Sequence, residues 1–204
     1  MNTLKSSSNR KKVNIPQESI EKTFEVESPA RLIVINIRGS IVIKPGNEGQ
    51  IKINAIKHLD SGCPEETKIE ISQNKNGEVC VTTQHTHNGF WKSGRPCKVD
   101  YQIYAPKACS VNLKTVSSSA DVEGLEGDFM TNSVSGMVKL SELSGSINAK
   151  NVSGKLLGEN LSGPAKLETV SGEIRAEDSD FPSLNSTTVS GSAIIHTDLG
   201  DGPY

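Results

Sequence analysis

Hydrophobic and polar positions in the second half of the chain follow a beat of nine residues. Val116, Val134, Val152, Val170 and Val189 each open a Val-Ser-Gly or Val-Ser-Ser triplet, three times eighteen residues apart and once nineteen. Leu125, Leu143 and Leu161 open Leu-Glu-Gly or Leu-Ser-Gly triplets midway between them. Two positions after each glycine slot stand Ala120, Phe129, Val138, Ile147, Leu156, Ala165 and Ile174. Two further on stand Val122, Thr131, Leu140, Ala149, Gly158, Leu167 and Ala176, with polar residues between. Alternation of this kind is a strand with one buried face. The Ser-Gly steps read as corners, because glycine reaches positive φ and serine bonds nearby backbone.

A fixed internal period is the mark of stacked repeats. The expectation is an all-β chain, a β-solenoid (β-helix-like) with about eighteen residues per coil. Val116, Val134, Val152, Val170 and Val189 would form one inward column, with Gly136, Gly154, Gly172 and Gly191 turning the corners. The leucines would form the opposite column. Three regions are predicted: a disordered basic tail over 1–18, an N-terminal β region over 19–110, and the repeat over 111–204. The N-terminal region contains "RLIVINIRGSIVIKPG", whose "IRGSIVI" echoes "LSGSINA" at 143–149, and several longer strand candidates that cap or extend the stack. Asn76-Gly77 between two of them signals a hairpin.

Composition sharpens this picture. Aromatics make up only 4% of the 204 residues, so the core must be built from Val, Ile, Leu and Ala. The net charge is −2, with basic residues in excess in the first half and acidic ones in the second. Lys5, Arg10, Lys11 and Lys12 sit in a polar tail whose simplest role is solubility rather than nucleic-acid binding. No apolar run is long enough to span a membrane, and the N-terminus lacks the apolar stretch of a signal peptide. The chain as written therefore reads as cytoplasmic, or as envelope-associated if an anchor or signal was removed.

Candidate chemistry is sparse. Cys63, Cys80, Cys97 and Cys109 read as free thiols, and the spacing of Cys80, Cys97, His85 and His87 matches no closed zinc motif. No carboxylate ladder accompanies the nine-residue units, so calcium filling is not expected, nor is any other cofactor. Glu159 and Glu177, one coil apart, could form the carboxylate pair of a polysaccharide-processing β-helix enzyme. Lys155 and Arg175 beside them offer ordinary cross-strand pairing instead. The loop Gln84–Cys97 gathers His85, His87, Phe90, Trp91 and Arg95. Such a loop could grip a protein or glycan, or Trp91 could fold back as a lid on the core, which the usual burial of Trp favours.

Three stretches, "FEVESPARLIVINIRGSIVIKPG", "VDYQIYAPKACSVNLKTVSSSADVEGL" and the serial Val-Ser-Gly units, resemble the bacterial putative-adhesin family of β-strand-repeat domains. The resemblance covers most of residues 20–204. It implies a β-helix-like fold and a role in adhesion or envelope response, and it carries over no catalytic residue. The expected function is a non-enzymatic interaction or scaffold module. The repeat ends one beat short at Tyr204, which predicts an incomplete stack and end-to-end pairing of copies.

Overall fold

The computed structural model describes residues 16–86 and 94–198. They form twelve strands: β1 (Gln17–Glu25), β2 (Ala30–Pro45), β3 (Gln50–His58), β4 (Thr67–Gln73), β5 (Val79–His85), β6 (Lys98–Ala105), β7 (Cys109–Glu123), β8 (Phe129–Ser141), β9 (Ile147–Glu159), β10 (Ala165–Asp180), β11 (Leu184–Thr188) and β12 (Ser192–Asp198). A single 3-10 turn, Leu59–Ser61, follows β3.

All twelve strands belong to one mixed sheet. Its main path runs β1-β3-β6-β2-β7-β8-β9-β10-β11. β2, β7, β8, β9 and β10 run parallel, each shifted by one rung. Each of these is long enough to serve two faces. The first half of β2 pairs with β5 and its second half with β6. At the far side, the first half of β10 pairs with β11 and its second half with β12. β1, β3 and β6 pair antiparallel, as do β4 and β5.

This arrangement corrects the β-solenoid (β-helix-like) expectation. The eighteen-residue spacing does put β7 to β10 in register, but each rung is one bent strand, not two strands between two corners. Backbone pairing continues through Val-Ser-Gly, and only the Leu-Ser-Gly steps interrupt it, leaving single bridges such as Ser144–Ser162. The N-terminal strands carry no period, and their order in space departs from their order in sequence. The "IRGSIVI" segment sits beside the valine bend, with Gly39 opposite Ser118, and not beside a leucine step.

Burial follows the alternation at the positions after each glycine slot, from Ala120 and Val122 to Ile174 and Ala176. Leu125, Leu143 and Leu161 are buried as well. The valine column is inverted. Val116, Val134, Val152 and Val170 are 47–49% exposed, and Val189 is 78% exposed. At each bend two successive residues, Val and Ser, point outward, so the inward position falls to the residue before the valine. Thr115, Ser133, Asn151 and Thr169 fill that column and are buried. Thr115 Oγ1 donates to Ser133 Oγ at 3.0 Å, and Asn151 Nδ2 donates to the Gly136 carbonyl at 3.3 Å, whereas Thr169 Oγ1 has no hydrogen-bond partner among the described residues. Gly136 and Gly154 take φ of +124° and +127° at the bend, whereas Gly172 and Gly191 make the same bend outside that region.

The hairpin expected at Asn76-Gly77 joins β4 to β5. Asn74 Oδ1 accepts from the backbone N–H groups of Asn76 (2.9 Å) and Glu78 (3.0 Å), and Gly77 takes φ +78°.

Candidate functional site

The bend of β2 carries Ile37-Arg38-Gly39-Ser40 where β7 carries Val116-Ser117-Ser118-Ser119. A polar cleft of about 630 Å3 opens there, walled by Arg38, Ser40, His58, Asp60, Lys98 and Asp100. Its floor is held by backbone acceptors. Arg38 Nη1 donates to the Ser61 carbonyl at 2.7 Å and to the Pro96 carbonyl at 3.3 Å. Ser61 Oγ donates to the His58 carbonyl (2.6 Å) and accepts from the Lys98 N–H (2.7 Å). The 3-10 turn, the end of β3 and the start of β6 are thereby locked together.

Asp100, on β6, is the hub. Its Oδ1 accepts from the Ser40 N–H (2.8 Å) and the Ser40 hydroxyl (2.7 Å), and its Oδ2 lies 2.6 Å from His58 Nε2. Partial burial alone would push this carboxyl up. The Ser40 hydroxyl, the His58 ring and the Ser40 N–H outweigh that effect and hold it below the usual carboxylate range. A depressed folded-state value means that the clamp stabilises the fold above the unfolded carboxylate pKa. That stability is lost as pH falls through the folded value. Asp100→Asn is expected to cost about 1 kcal/mol at neutral pH, since the site is partly exposed. In urea melts at pH 7, 5 and 3, the gap between wild type and variant should close toward the acid end. A gap independent of pH would show that the carboxylate charge is not what holds the cleft.

The order of groups decides the chemistry. A nucleophilic serine needs a base at its hydroxyl, with the carboxylate behind that base. Here the carboxylate lies between serine and histidine: Ser40 Oγ donates directly to Asp100, and the histidine is not at the hydroxyl, so the Ser-His-Asp order is not formed. Glu159 and Glu177 stand opposite each other on β9 and β10. Each is engaged by a cation: Lys139 at 3.3 Å from Glu159 and Arg175 at 3.3 Å from Glu177. Among the described residues, no group of three His, Cys, Asp or Glu side chains could hold a metal ion.

The loop Gln84–Cys97 is rooted beside this cleft. His85 ends β5 with its Nε2 2.9 Å from the Gly94 carbonyl and 3.6 Å from Glu66 Oε2. Arg95 is exposed, and its carbonyl accepts from the Cys63 N–H at 3.0 Å. His87, Phe90 and Trp91 lie outside the described residues. The structure thus brings His85 and Arg95 to the neck of the loop, next to the Pro96 carbonyl that Arg38 holds. Arg38, Ser40, His58 and Asp100 escaped the sequence reading because they are scattered over three strands. The available signal was Arg-Gly-Ser interrupting the apolar run of β2.

No curated protein matches this chain. Among solved structures, a putative cell adhesion protein from Clostridium sporogenes ATCC 15579 is similar, with a TM-score of 0.56 at 12% identity. The match covers 89% of this chain and 100% of that one, and it shows a shared fold. A putative adhesin from Parabacteroides merdae ATCC 43184 gives 0.36 at 14% identity, covering 91% and 95% of the two chains. One from Bacteroides fragilis NCTC 9343 gives 0.36 at 9%, covering 89% and 97%. The Toastrack DUF4097 family matches residues 31–201, which takes in nearly all of the mixed sheet and replaces the solenoid as the description of the fold. By the extent of that match, this chain belongs to the Toastrack DUF4097 family.

Proposed function

We propose that this chain is a non-enzymatic, adhesin-like interaction domain, and that the Asp100 cleft together with the Gln84–Cys97 loop is its contact face for a protein partner. The observation that carries this reading is the state of the cleft. It is open and charged, and its serine, carboxylate and histidine are hydrogen-bonded to one another without forming a Ser-His-Asp order, which suits recognition. Arg38 and Lys98 line it as cations, Arg95 is exposed at the neck of the loop, and Phe90 and Trp91 supply the aromatic content typical of a contact loop. The similar Clostridium sporogenes structure is that of a putative cell adhesion protein, which supports work at the cell envelope. No helix among the described residues is long and apolar enough to cross a membrane.

The test uses the full chain to capture proteins from an envelope fraction, with a glycan array in parallel. Affinity for the identified partner is then measured for Arg95→Ala and Trp91→Ala. Both should bind at least about tenfold more weakly while melting like the wild type. If Trp91→Ala instead costs about 3–5 kcal/mol of stability, the side chain is a core lid and the loop is not the contact site. Binding confined to the array would replace the protein partner with a glycan.

A further inference from the structure

The outer face of β8 to β11 carries a feature that the cleft does not use. Val134, Val152, Val170 and Val189 line one wall of a shallow groove of about 450 Å3, and Asn132, Lys150, Glu168 and Thr187 line the other. Adjacent strands set these columns at a step of about 4.8 Å. Five successive exposed valines, counting Val116, form a contiguous apolar stripe roughly 19 Å long, which is more than scattered surface leucines or valines amount to. Along the polar wall Lys150 Nζ lies 2.8 Å from Glu168 Oε2, and Lys166 Nζ lies 2.9 Å from Glu168 Oε1.

We propose that this face is an isologous dimer interface, in which a second copy of the chain lies against it with its rungs in reverse order. Two arguments select the second copy. A ladder of identical side chains at a fixed step packs best into another ladder of the same step, and this chain supplies one. The charges then settle the register. The four groove valines have their centre between the Val152 and Val170 rungs. A two-fold axis through that point, parallel to the strands, sets Val152 against the second copy's Val170 and Val134 against its Val189. The same axis sets Lys150 against the second copy's Glu168, and Asn132 against its Thr187. The two internal Lys150–Glu168 pairs then close into one ring of alternating charge. An axis centred on the Val152 rung would oppose Lys150 to itself, and one centred on Val170 would oppose Glu168 to itself. Either places like charges face to face, which is unfavourable. The groove shares no lining residue with the cleft, so a dimer would carry two clefts, raising avidity for a multivalent partner.

The full chain would be examined by sedimentation velocity from about 1 to 100 μM, a range that spans dissociation constants ordinary for such surfaces. The wild type should dimerise. Val152→Lys and Val170→Glu should each weaken the dimer by about tenfold or more. Both positions are exposed in the single chain, so melting curves taken at low protein concentration, where the chain is monomeric, should stay unchanged. An equimolar mixture of the two variants should recover dimer, because lysine then meets glutamate at one contact while the Val170–Val152 contact at the other is kept. A monomeric wild type at the top of the range would overturn the proposal. So would a dimer indifferent to both substitutions, or a mixture that fails to recover, since each excludes this face or this register.

Discussion

Replacing Gly154 by alanine should destabilise the fold by at least about 3 kcal/mol, although it adds one methyl group at a partly exposed position. Two effects combine. Gly154 has φ of +127°, a conformation that L side chains rarely adopt. A Cβ built there would also overlap the carbonyl oxygen of Gly136 on the neighbouring rung. That oxygen cannot swing aside cheaply. It belongs to the backbone of β8, and it also accepts from Asn151 Nδ2 at 3.3 Å. The same relation recurs up the sheet: the Gly172 site faces the Gly154 carbonyl, and the Gly191 site faces that of Gly172. The urea midpoint of Gly154→Ala against wild type is the measurement. A cost near the roughly 1 kcal/mol of an ordinary strand glycine would mean that the bend relaxes around a side chain.

Leu143→Ala and Val152→Ala should differ by a comparable margin, although their equivalent places in the repeat suggest equal costs. Leu143 is 1% exposed and lies within the continuous apolar core, so its truncation should cost about 2–5 kcal/mol. Val152 is 47% exposed, and its truncation should fall within about 0.5 kcal/mol. Both melts belong at low protein concentration, where association adds nothing to apparent stability. Equal costs would place the valines inside.

Several features were legible in the chain itself, each because it depends on neighbours in sequence. The eighteen-residue period sets the register of β7 to β10, since a side-chain pattern that repeats can align only with itself. The two-residue alternation from Ala120 to Ala176 names the buried face of every rung. Asn76-Gly77 marks the β4–β5 hairpin, because Asn74 and the positive φ of Gly77 act within five residues.

The tertiary structure alone decided the rest. Val-Ser-Gly and Leu-Ser-Gly look alike as triplets, yet one lets strand pairing continue around a bend and the other breaks it. The difference lies in which residues face outward: the valine and the serine both do at one step, whereas the leucine is buried at the other, and the triplets themselves do not encode that choice. The residue before each valine, from Thr115 to Thr169, took the inward place for that reason. Likewise Asp100, His58 and Ser40 converge only because β6 inserts between β3 and β2, an order in space that no local pattern encodes. A period can specify which rung lies beside which. Which side of a rung faces the core, and which distant side chains share a cleft, are settled when the whole sheet closes around a single interior.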